Sequence, residues 1–332
     1  MSLPHLAAPP QRYAWLTDRG VLLHAGVLAA LLLAQLVVSD YAVLSLARVM
    51  VLAVYAVGFN VLFGYTGLLS LGHAMLFAAG LYGAGLAAEH LGVGAIPAFL
   101  IGIAAGCGVS AIFGLIALRT SGVAFMIVTL MFAQAGFLTS LYFGEYTRGD
   151  EGFVLRGDVR RALLPGGLAL DLTSPAVRYN LALGLLAACL MGCLALVRSP
   201  IGRVLVAIRE NEERTRMLGY DTHATKLLAF VVSGTIAAAA GAAYALLFAY
   251  VGATFASIQY SILPLLWVLL GGAGTVLGPF VGTLLMFYLV DITSSYTSAY
   301  MLMVGVALLV LVVWFPKGLL GTLRERIAPW LP

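Results

Sequence analysis

The sequence predicts an all-α integral membrane protein with about ten transmembrane helices, and its composition is the first reason. Of the 332 residues, 62% are hydrophobic and only 10% are charged, and the mean hydropathy is +1.03. A soluble domain usually carries about 25% charged residues. One core cannot hide so much apolar surface from water, so the composition excludes a soluble protein and indicates the lipid bilayer as a partner.

The second observation is a series of apolar runs long enough to cross a bilayer, which needs about 20 helical residues. The run at 257–271 is shorter and contains Pro264, so it predicts a half-helix or a tilted span. Small residues recur every four positions near Gly106 and near Gly241, which predicts close helix packing. The ten predicted spans cover about 21–38, 43–63, 67–88, 95–118, 122–143, 177–197, 227–250, 257–271, 275–292 and 297–315.

The third observation is the distribution of Arg and Lys, which predicts that both termini lie in the cytoplasm. With that orientation the outside holds five cationic residues, all within 144–178, where five acidic residues balance them. The net charge of +4 belongs to this topogenic pattern and does not predict a nucleic-acid partner. The inside segments hold Arg12, Arg19, Arg119, Arg198, Arg203, Arg209, Arg214, Arg216, Lys226, Lys317, Arg324 and Arg326.

Two hydrophilic segments interrupt the apolar pattern, an external loop at about 144–176 and a cytoplasmic loop at about 198–226. Neither could form a domain alone, so the sequence predicts a single membrane-spanning domain over 1–332. The first apolar run lacks a small-residue cleavage site and is therefore expected to stay as an uncleaved span.

The cytoplasmic loop predicts a short charged helix. Ser199 followed by Pro200 is a favourable helix start, and Gly219 supplies a left-handed stop. Two acid–base pairs stand four residues apart, and four apolar side chains are expected to face the bundle: these are Glu210–Arg214, Glu212–Arg216, Val204, Leu205, Ile208 and Leu218. The helix is either a solvated amphipathic connector or a coupling helix that docks on a separate ATPase. The coupling candidates are Arg209, Glu210, Glu212, Glu213, Arg216 and Gly219.

No energy source is evident in the chain. A phosphate-binding P-loop needs Gly-Lys followed by Ser or Thr, whereas Lys226 follows Thr225 and Lys317 follows Pro316. The three cysteines fall inside apolar stretches and are interpreted as packing residues rather than as a metal site. We therefore expect no catalytic site and no cofactor in this chain, with ATP and Mg bound by partner subunits.

Polar residues inside the apolar region suggest a translocation path. Gly64 and Gly67 weaken the helix there, and His73 is an ionisable group predicted to lie well within a span. His73 could instead be a neutral side chain hydrogen-bonded between helices. The Gly-rich stretch 271–279 predicts a tight cytoplasmic turn, or else a second break that corresponds to the first. The path candidates are Asn60, Tyr65, Thr66, Ser70 and His73.

Five stretches of the chain together resemble the branched-chain amino acid ABC transporter permease family, in its longer, second-permease type. They are GYTGLLSLGHA (64–74), ALRTSGVAFMIVTL (117–130), SPIGRVLVAIRENEERTRMLGYDTHATKLLAF (199–230), LLGGAGTVLGP (269–279) and FPKGLLG (315–321).

The resemblance implies a helical fold similar to the ten-span ABC importers, in the bacterial inner membrane. It implies a homologous second permease as heterodimer partner, two cytoplasmic ABC ATPases and a periplasmic solute-binding protein. Arg148 stands where the family typically has Gly. The implied cargo is a branched-chain or related amino acid, and the alternatives are urea, amides and aromatic acids. A stand-alone secondary transporter or channel would need more charges within its spans, and a membrane enzyme would need a catalytic group beside His73.

Overall fold

The computed structural model describes residues 19–157, 159–163 and 169–326, which form a bundle of helices with short strands at one end. The helices are α1 Arg19–Ala34, α2 Asp40–Asn60, α3 His73–His90, α4 Ala95–Ala117, α5 Gly122–Tyr142, α6 Gly144–Thr147, α7 Pro175–Arg198, α8 Pro200–Met217, α9 Thr222–Phe248, α10 Ile258–Gly271, α11 Gly278–Tyr296, α12 Tyr300–Trp314 and α13 Leu319–Arg326. The strands are β1 Phe153–Val154, β2 Arg161–Leu163, β3 Ala169–Asp171 and β4 Tyr250–Val251. A π turn, Val61–Tyr65, extends α2, and a 3₁₀ turn, Ala253–Ala256, precedes α10.

The helical membrane architecture is confirmed in its main features. Each of the ten predicted apolar runs contains one helix, namely α1–α5, α7 and α9–α12. Within the described ranges, six helical segments are long and apolar enough to cross a bilayer: α2 with its π turn, α4, α5, α7, α9 and α11. Shorter apolar helices include α1, α10 and a part of α12. α10 has 14 residues and contains Pro264, as the short run predicted.

The third predicted span begins later than the sequence suggested. The prediction started it at residue 67, whereas α3 begins at His73, so His73 is the first residue of this helix and does not lie well within it. Gly67 has φ +77°, a left-handed conformation that ends the preceding helix. The irregular segment 66–72 is held by Thr129 of α5, whose hydroxyl accepts a hydrogen bond from the Leu71 amide at 3.1 Å.

Small residues bring α3, α4 and α9 into close contact, as their spacing predicted. A Cβ added to Gly80 would lie 2.0 Å from the Ala238 carbonyl oxygen, and one added to Gly241 would lie 2.0 Å from that of Phe77. These short distances show that the two helix backbones are in direct contact and that no side chain fits between them. In lipid, where no hydrophobic effect drives helices together, this packing supplies dispersion contacts instead.

One end of the bundle, which we call the β end, carries the strands. β1 pairs with β4 and β2 with β3, both antiparallel. The buried Arg160 side chain donates to the carbonyls of Leu246 (2.9 Å), Leu247 (2.8 Å) and Leu172 (3.0 Å). These bonds satisfy carbonyls in the last turn of α9. They therefore fix the predicted external loop to the bundle.

The opposite end, which we call the α8 end, gathers α8, the segment 66–72, the turn 272–277 and α13. Gly272 and Gly318 have φ +122° and +73°, and a Cβ on Gly318 would meet the Gly272 backbone at 2.5 Å. Stretches far apart in sequence, including 269–279 and 315–321, therefore meet at this end.

Candidate functional site

The site begins where α2 widens into the π turn. The amides of Gly67 and Leu68 donate to the carbonyls of Phe63 and Leu62, each at 3.1 Å. The Thr66 hydroxyl donates to the Val61 carbonyl at 3.0 Å. π turns inside helices occur frequently at functional sites. The chain thus leaves α2 with its backbone groups satisfied locally.

Asn60 joins this π turn to the turn between α10 and α11. Its Nδ2 donates to the Thr275 carbonyl at 3.0 Å, and its Oδ1 accepts from the Gly274 amide at 3.0 Å. Asn60 is fully buried. A Cβ on Gly64 would lie 1.9 Å from the Asn60 Oδ1, so glycine at 64 leaves room for these bonds. The two Gly-rich breaks are therefore in contact, and 271–279 forms a turn.

Arg209 of α8 completes the contact. Its Nη1 donates to the Gly64 carbonyl, and a Cβ on Gly67 would lie 3.1 Å from the Arg209 Cγ. Arg324 of α13 donates from Nη1 to the Gly274 carbonyl at 3.2 Å. We call the group of Asn60, Gly64, Arg209 and Gly274 the junction. It connects a path candidate, Asn60, with a coupling candidate, Arg209.

The junction borders an open cleft of 680 Å³ with a basic lining. Arg209, Lys317 and Arg324 supply three cations, and Glu325 is the one carboxylate among the lining residues. Lys317 pairs with Glu325, so part of this charge is balanced.

His73 belongs to a buried chain of hydrogen bonds that joins α3, α9 and α2. The Ser233 hydroxyl donates to the Gly58 carbonyl at 2.5 Å, so its single proton is committed there. The bond of 2.8 Å between His73 Nε2 and the Ser233 oxygen must therefore use a proton on Nε2. This bond joins the start of α3 to α9, which agrees with the expectation of a hydrogen bond between helices. Its Nδ1 is buried and has no hydrogen-bond partner in the described part of the chain.

The other path candidates stay close to these groups. The Tyr65 hydroxyl is buried without a hydrogen-bond partner among the described residues. The Ser70 hydroxyl accepts from the Gly72 amide at 3.2 Å. The role of these residues as a path stays a prediction.

α8 is two helical segments rather than one. Ser199 caps its start by accepting from the Gly202 amide at 3.1 Å, as predicted. Asn211 interrupts it with φ −161° and ψ 101°, and its side chain caps the second segment by accepting from the Arg214 amide at 2.8 Å. Gly219, with φ +90°, follows the end of the helix.

This kink changes two expectations about α8. The expected Glu210–Arg214 pair is wrong for the described structure, because the break at Asn211 removes the one-turn spacing between them. Leu218 was expected to face the bundle and is instead 72% exposed. Leu205 and Ile208, which precede the kink, are buried as predicted. The second segment therefore exposes most of its side chains, although Thr215 is buried.

Glu212 attaches the second segment to α9. Its carboxylate lies 2.6 Å from Lys226 Nζ and 3.3 Å from Arg216, the second of which was predicted. Burial acts to raise the pKa of Glu212, but the hydrogen bond and charge of Lys226 outweigh it and leave that pKa below its ordinary value. The pair is thus present at neutral pH and is lost only as the pH falls through this lowered value. Glu213 and Arg216 remain exposed for a partner.

Sequence reasoning missed Ser233, Lys226 and Gln134. Ser233 was interpreted only as a small packing residue, although a hydroxyl in such a row was a signal for a bond between helices.

Gln134 is a polar side chain near the middle of α5. α5 is weakly buried. In its most apolar 18-residue stretch, 17% of the residues are buried inside the protein, whereas the figure for α2 with its π turn is 78%. Successive residues of a helix are about 100° apart, so Gln134, which is half-buried, lies beside the face that buries Ala133.

Comparison with known proteins shows which family has a similar sequence. The family model described as "Branched-chain amino acid transport system / permease component" matches residues 41–313. The chain is 29% identical over 299 residues to the high-affinity branched-chain amino acid transport system permease protein LivM of Escherichia coli, which covers 84% of this chain and 69% of that protein. The LivM protein of Salmonella typhimurium gives the same values.

Shorter similarities extend to other permeases. A probable branched-chain amino acid transport permease protein LivM of Methanocaldococcus jannaschii is 31% identical over 38% of this chain and 41% of its own length. The ribose import permease protein RbsC of Haemophilus influenzae is 30% identical over 37% of this chain and 40% of its own. No solved structure matches. Because the family model spans α2 to α12 and includes the junction residues Asn60, Gly64, Arg209 and Gly274, the chain belongs to the permease-component family of branched-chain amino acid transport systems.

Proposed function

We propose that this chain is the membrane-spanning permease subunit of an ABC importer for branched-chain or related amino acids. The observation that carries the proposal is the junction, because Arg209 attaches α8, whose second segment carries exposed charges, to the Gly-rich break of a membrane span. A subunit driven by a separate ATPase needs such a link between a docking surface and a membrane gate.

The proposed topology has ten spans in a single domain over 1–332, with both termini in the cytoplasm of a bacterial inner membrane. The ten apolar helices and the excess of cationic side chains at the α8 end support it. The proposed path candidates are Asn60, Tyr65, Thr66, Ser70 and His73, which open or close the path when the junction moves. The chain itself has no catalytic role and holds no cofactor, and its partners bind ATP and Mg.

The proposed partners are a homologous permease, two cytoplasmic ABC ATPases and a periplasmic solute-binding protein. The weakly buried α5 supports the first, since an amide such as Gln134 near the membrane centre is costly against lipid and is expected to face protein. The exposed segment 212–217 supports the second. The anchored loop at the β end offers a rigid outer surface for the third.

The coupling assignment is tested by Glu213→Lys, which reverses the charge of an exposed side chain on the second segment of α8. We expect normal membrane insertion with loss of ATPase co-purification and of ATP hydrolysis stimulated by the binding protein. The control is Glu145→Lys, an equally exposed acid at the β end, which should retain the ATPases. Wild-type stimulation in Glu213→Lys would overturn the assignment.

The cargo is tested on the partner binding protein. Its ligand affinity, measured across leucine-type amino acids, urea, amides and aromatic acids, should be highest for a branched-chain amino acid. Uptake of the preferred ligand into vesicles with the complete complex should require ATP. Uptake by this chain alone, without ATPases, would contradict the proposal.

A further inference from the structure

A groove on the outer side of α8 has apolar walls that no described part of the chain fills. It has a volume of 670 Å³ and runs between the first segment of α8 and the start of α9. Ile201, Val204 and Ala207 form one wall, and Leu228 lies on the other. Ile201 and Leu228 are 43% and 42% exposed.

The first segment of α8 is therefore apolar on two faces. Leu205 and Ile208 are buried in the bundle. The residues at 201, 204 and 207 follow one another at about one helical turn and face the groove. A helix that met only water on its outer face would carry polar residues there. This second face thus calls for an apolar occupant.

The lining of the groove includes a cation and a hydroxyl. Arg203 and Tyr220 lie among its lining residues, and both are exposed. In the described part of the chain, no ion pair or side-chain hydrogen bond involves Arg203. Ala224, Thr225 and Leu228 belong to α9, which is long and apolar enough to cross a bilayer. The groove thus runs along the α8 end of a candidate spanning helix.

We infer that this groove binds one anionic glycerophospholipid. An acyl chain lies against Ile201, Val204 and Leu228, and Arg203 binds the phosphate by a charge-assisted hydrogen bond. An apolar tail joined to an anionic head matches a groove with apolar walls and an exposed arginine in its lining. An ATPase fits less well, since the groove lies along α9 and the first segment of α8, whereas the exposed charges Glu213 and Arg216 lie on the second segment. In the orientation proposed above, this lipid belongs to the cytoplasmic leaflet, whose anionic surface attracts Arg.

Native mass spectrometry of the full-length chain in detergent tests this inference. Phosphatidylglycerol and phosphatidylethanolamine with identical acyl chains are added at equal concentration. We expect one phosphatidylglycerol to be retained preferentially, and Arg203→Gln to weaken its binding about tenfold or more. Arg214→Gln, an exposed arginine of the same helix outside the groove, should leave it unchanged.

A second variant tests the apolar wall. Ala207→Trp fills the groove and should reduce retention of both lipids about equally. Arg203→Gln should weaken phosphatidylglycerol binding more than phosphatidylethanolamine binding, because both lipids carry the phosphate but only phosphatidylglycerol has a net negative charge. Equal effects of Arg203→Gln and Arg214→Gln, or no preference between the two lipids, would overturn the inference. Because the measurement needs no ATPase, nucleotide or binding protein, its failure would leave the importer proposal standing.

Discussion

Arg148 shows how one residue can carry backbone strain. Its backbone has φ +58°, and its amide closes the short helix α6 by donating to the Gly144 carbonyl at 2.9 Å. A side chain at left-handed φ clashes with the following carbonyl, and glycine has no such clash. Glycine, which the resemblance led us to expect at this position, would adopt the same backbone without strain. Gly149 follows with φ +59° and meets the same requirement without strain.

We therefore expect Arg148→Gly to stabilise the protein. Relief of about 1–2 kcal/mol of left-handed strain exceeds the about 0.5–1 kcal/mol that the extra freedom of glycine costs in the unfolded chain. Thermal unfolding in detergent should show a higher midpoint. Gly149→Ala is the matched opposite change and should lower it. A lower midpoint for Arg148→Gly would show that the arginine makes contacts that outweigh the strain.

At the scale of elements, the contact between α3 and α9 depends on glycine at the crossing point. Gly80 and Gly241 let each backbone touch the other helix. The periodicity of small residues predicted this close approach, whereas the partner of each row became known only from the structure. Sequence spacing defines the face of a helix but does not define what the face contacts.

Gly80→Ala tests this crossing. The added methyl would meet the Ala238 carbonyl at 2.0 Å, so the helices must separate, and we expect a loss of about 1–3 kcal/mol. Gly108→Ala on α4 is the control, because nothing lies within 4 Å of its added Cβ. That change should be neutral or stabilise by up to about 1 kcal/mol through helix propensity. The two variants should move the thermal midpoint in opposite directions, and similar shifts would contradict the packing argument.

At the scale of the whole molecule, the junction connects the proposed docking helix to two breaks in the membrane spans. Under this proposal, movement of α8 would reach Gly64 through Arg209, and Asn60, which packs against Gly64, bonds to the turn at Gly274. Two discrete arrangements of such a contact would allow closure of an ATPase pair to change access to the path. Glu212 and Lys226 hold the outer segment of α8 to α9, so it moves with the bundle.

Arg209→Gln should separate ATP hydrolysis from transport. The shorter neutral side chain loses the charge-assisted bond to the Gly64 carbonyl, while the exposed docking segment keeps its charges. In vesicles with the complete complex, we expect ATPase co-purification and hydrolysis to persist and transport per ATP hydrolysed to fall about tenfold or more. Arg214→Gln is the control and should keep the coupling ratio. An unchanged ratio in Arg209→Gln would show that the bond does not transmit motion.

The sequence by itself determined the membrane solvent, the positions of the apolar helices, the cap at Ser199 and the stop at Gly219, because hydropathy, capping and left-handed glycines act over a few neighbouring residues. It failed at Asn211, where a kink exposes Leu218, since nothing in the local pattern excluded a continuous helix. Only the tertiary structure decided which polar groups meet. Arg209 and Gly64, Asn60 and Gly274, and His73 and Ser233 are separated by 145, 214 and 160 residues in the chain. Their contacts follow from how the helices pack, and packing is a property of the whole bundle.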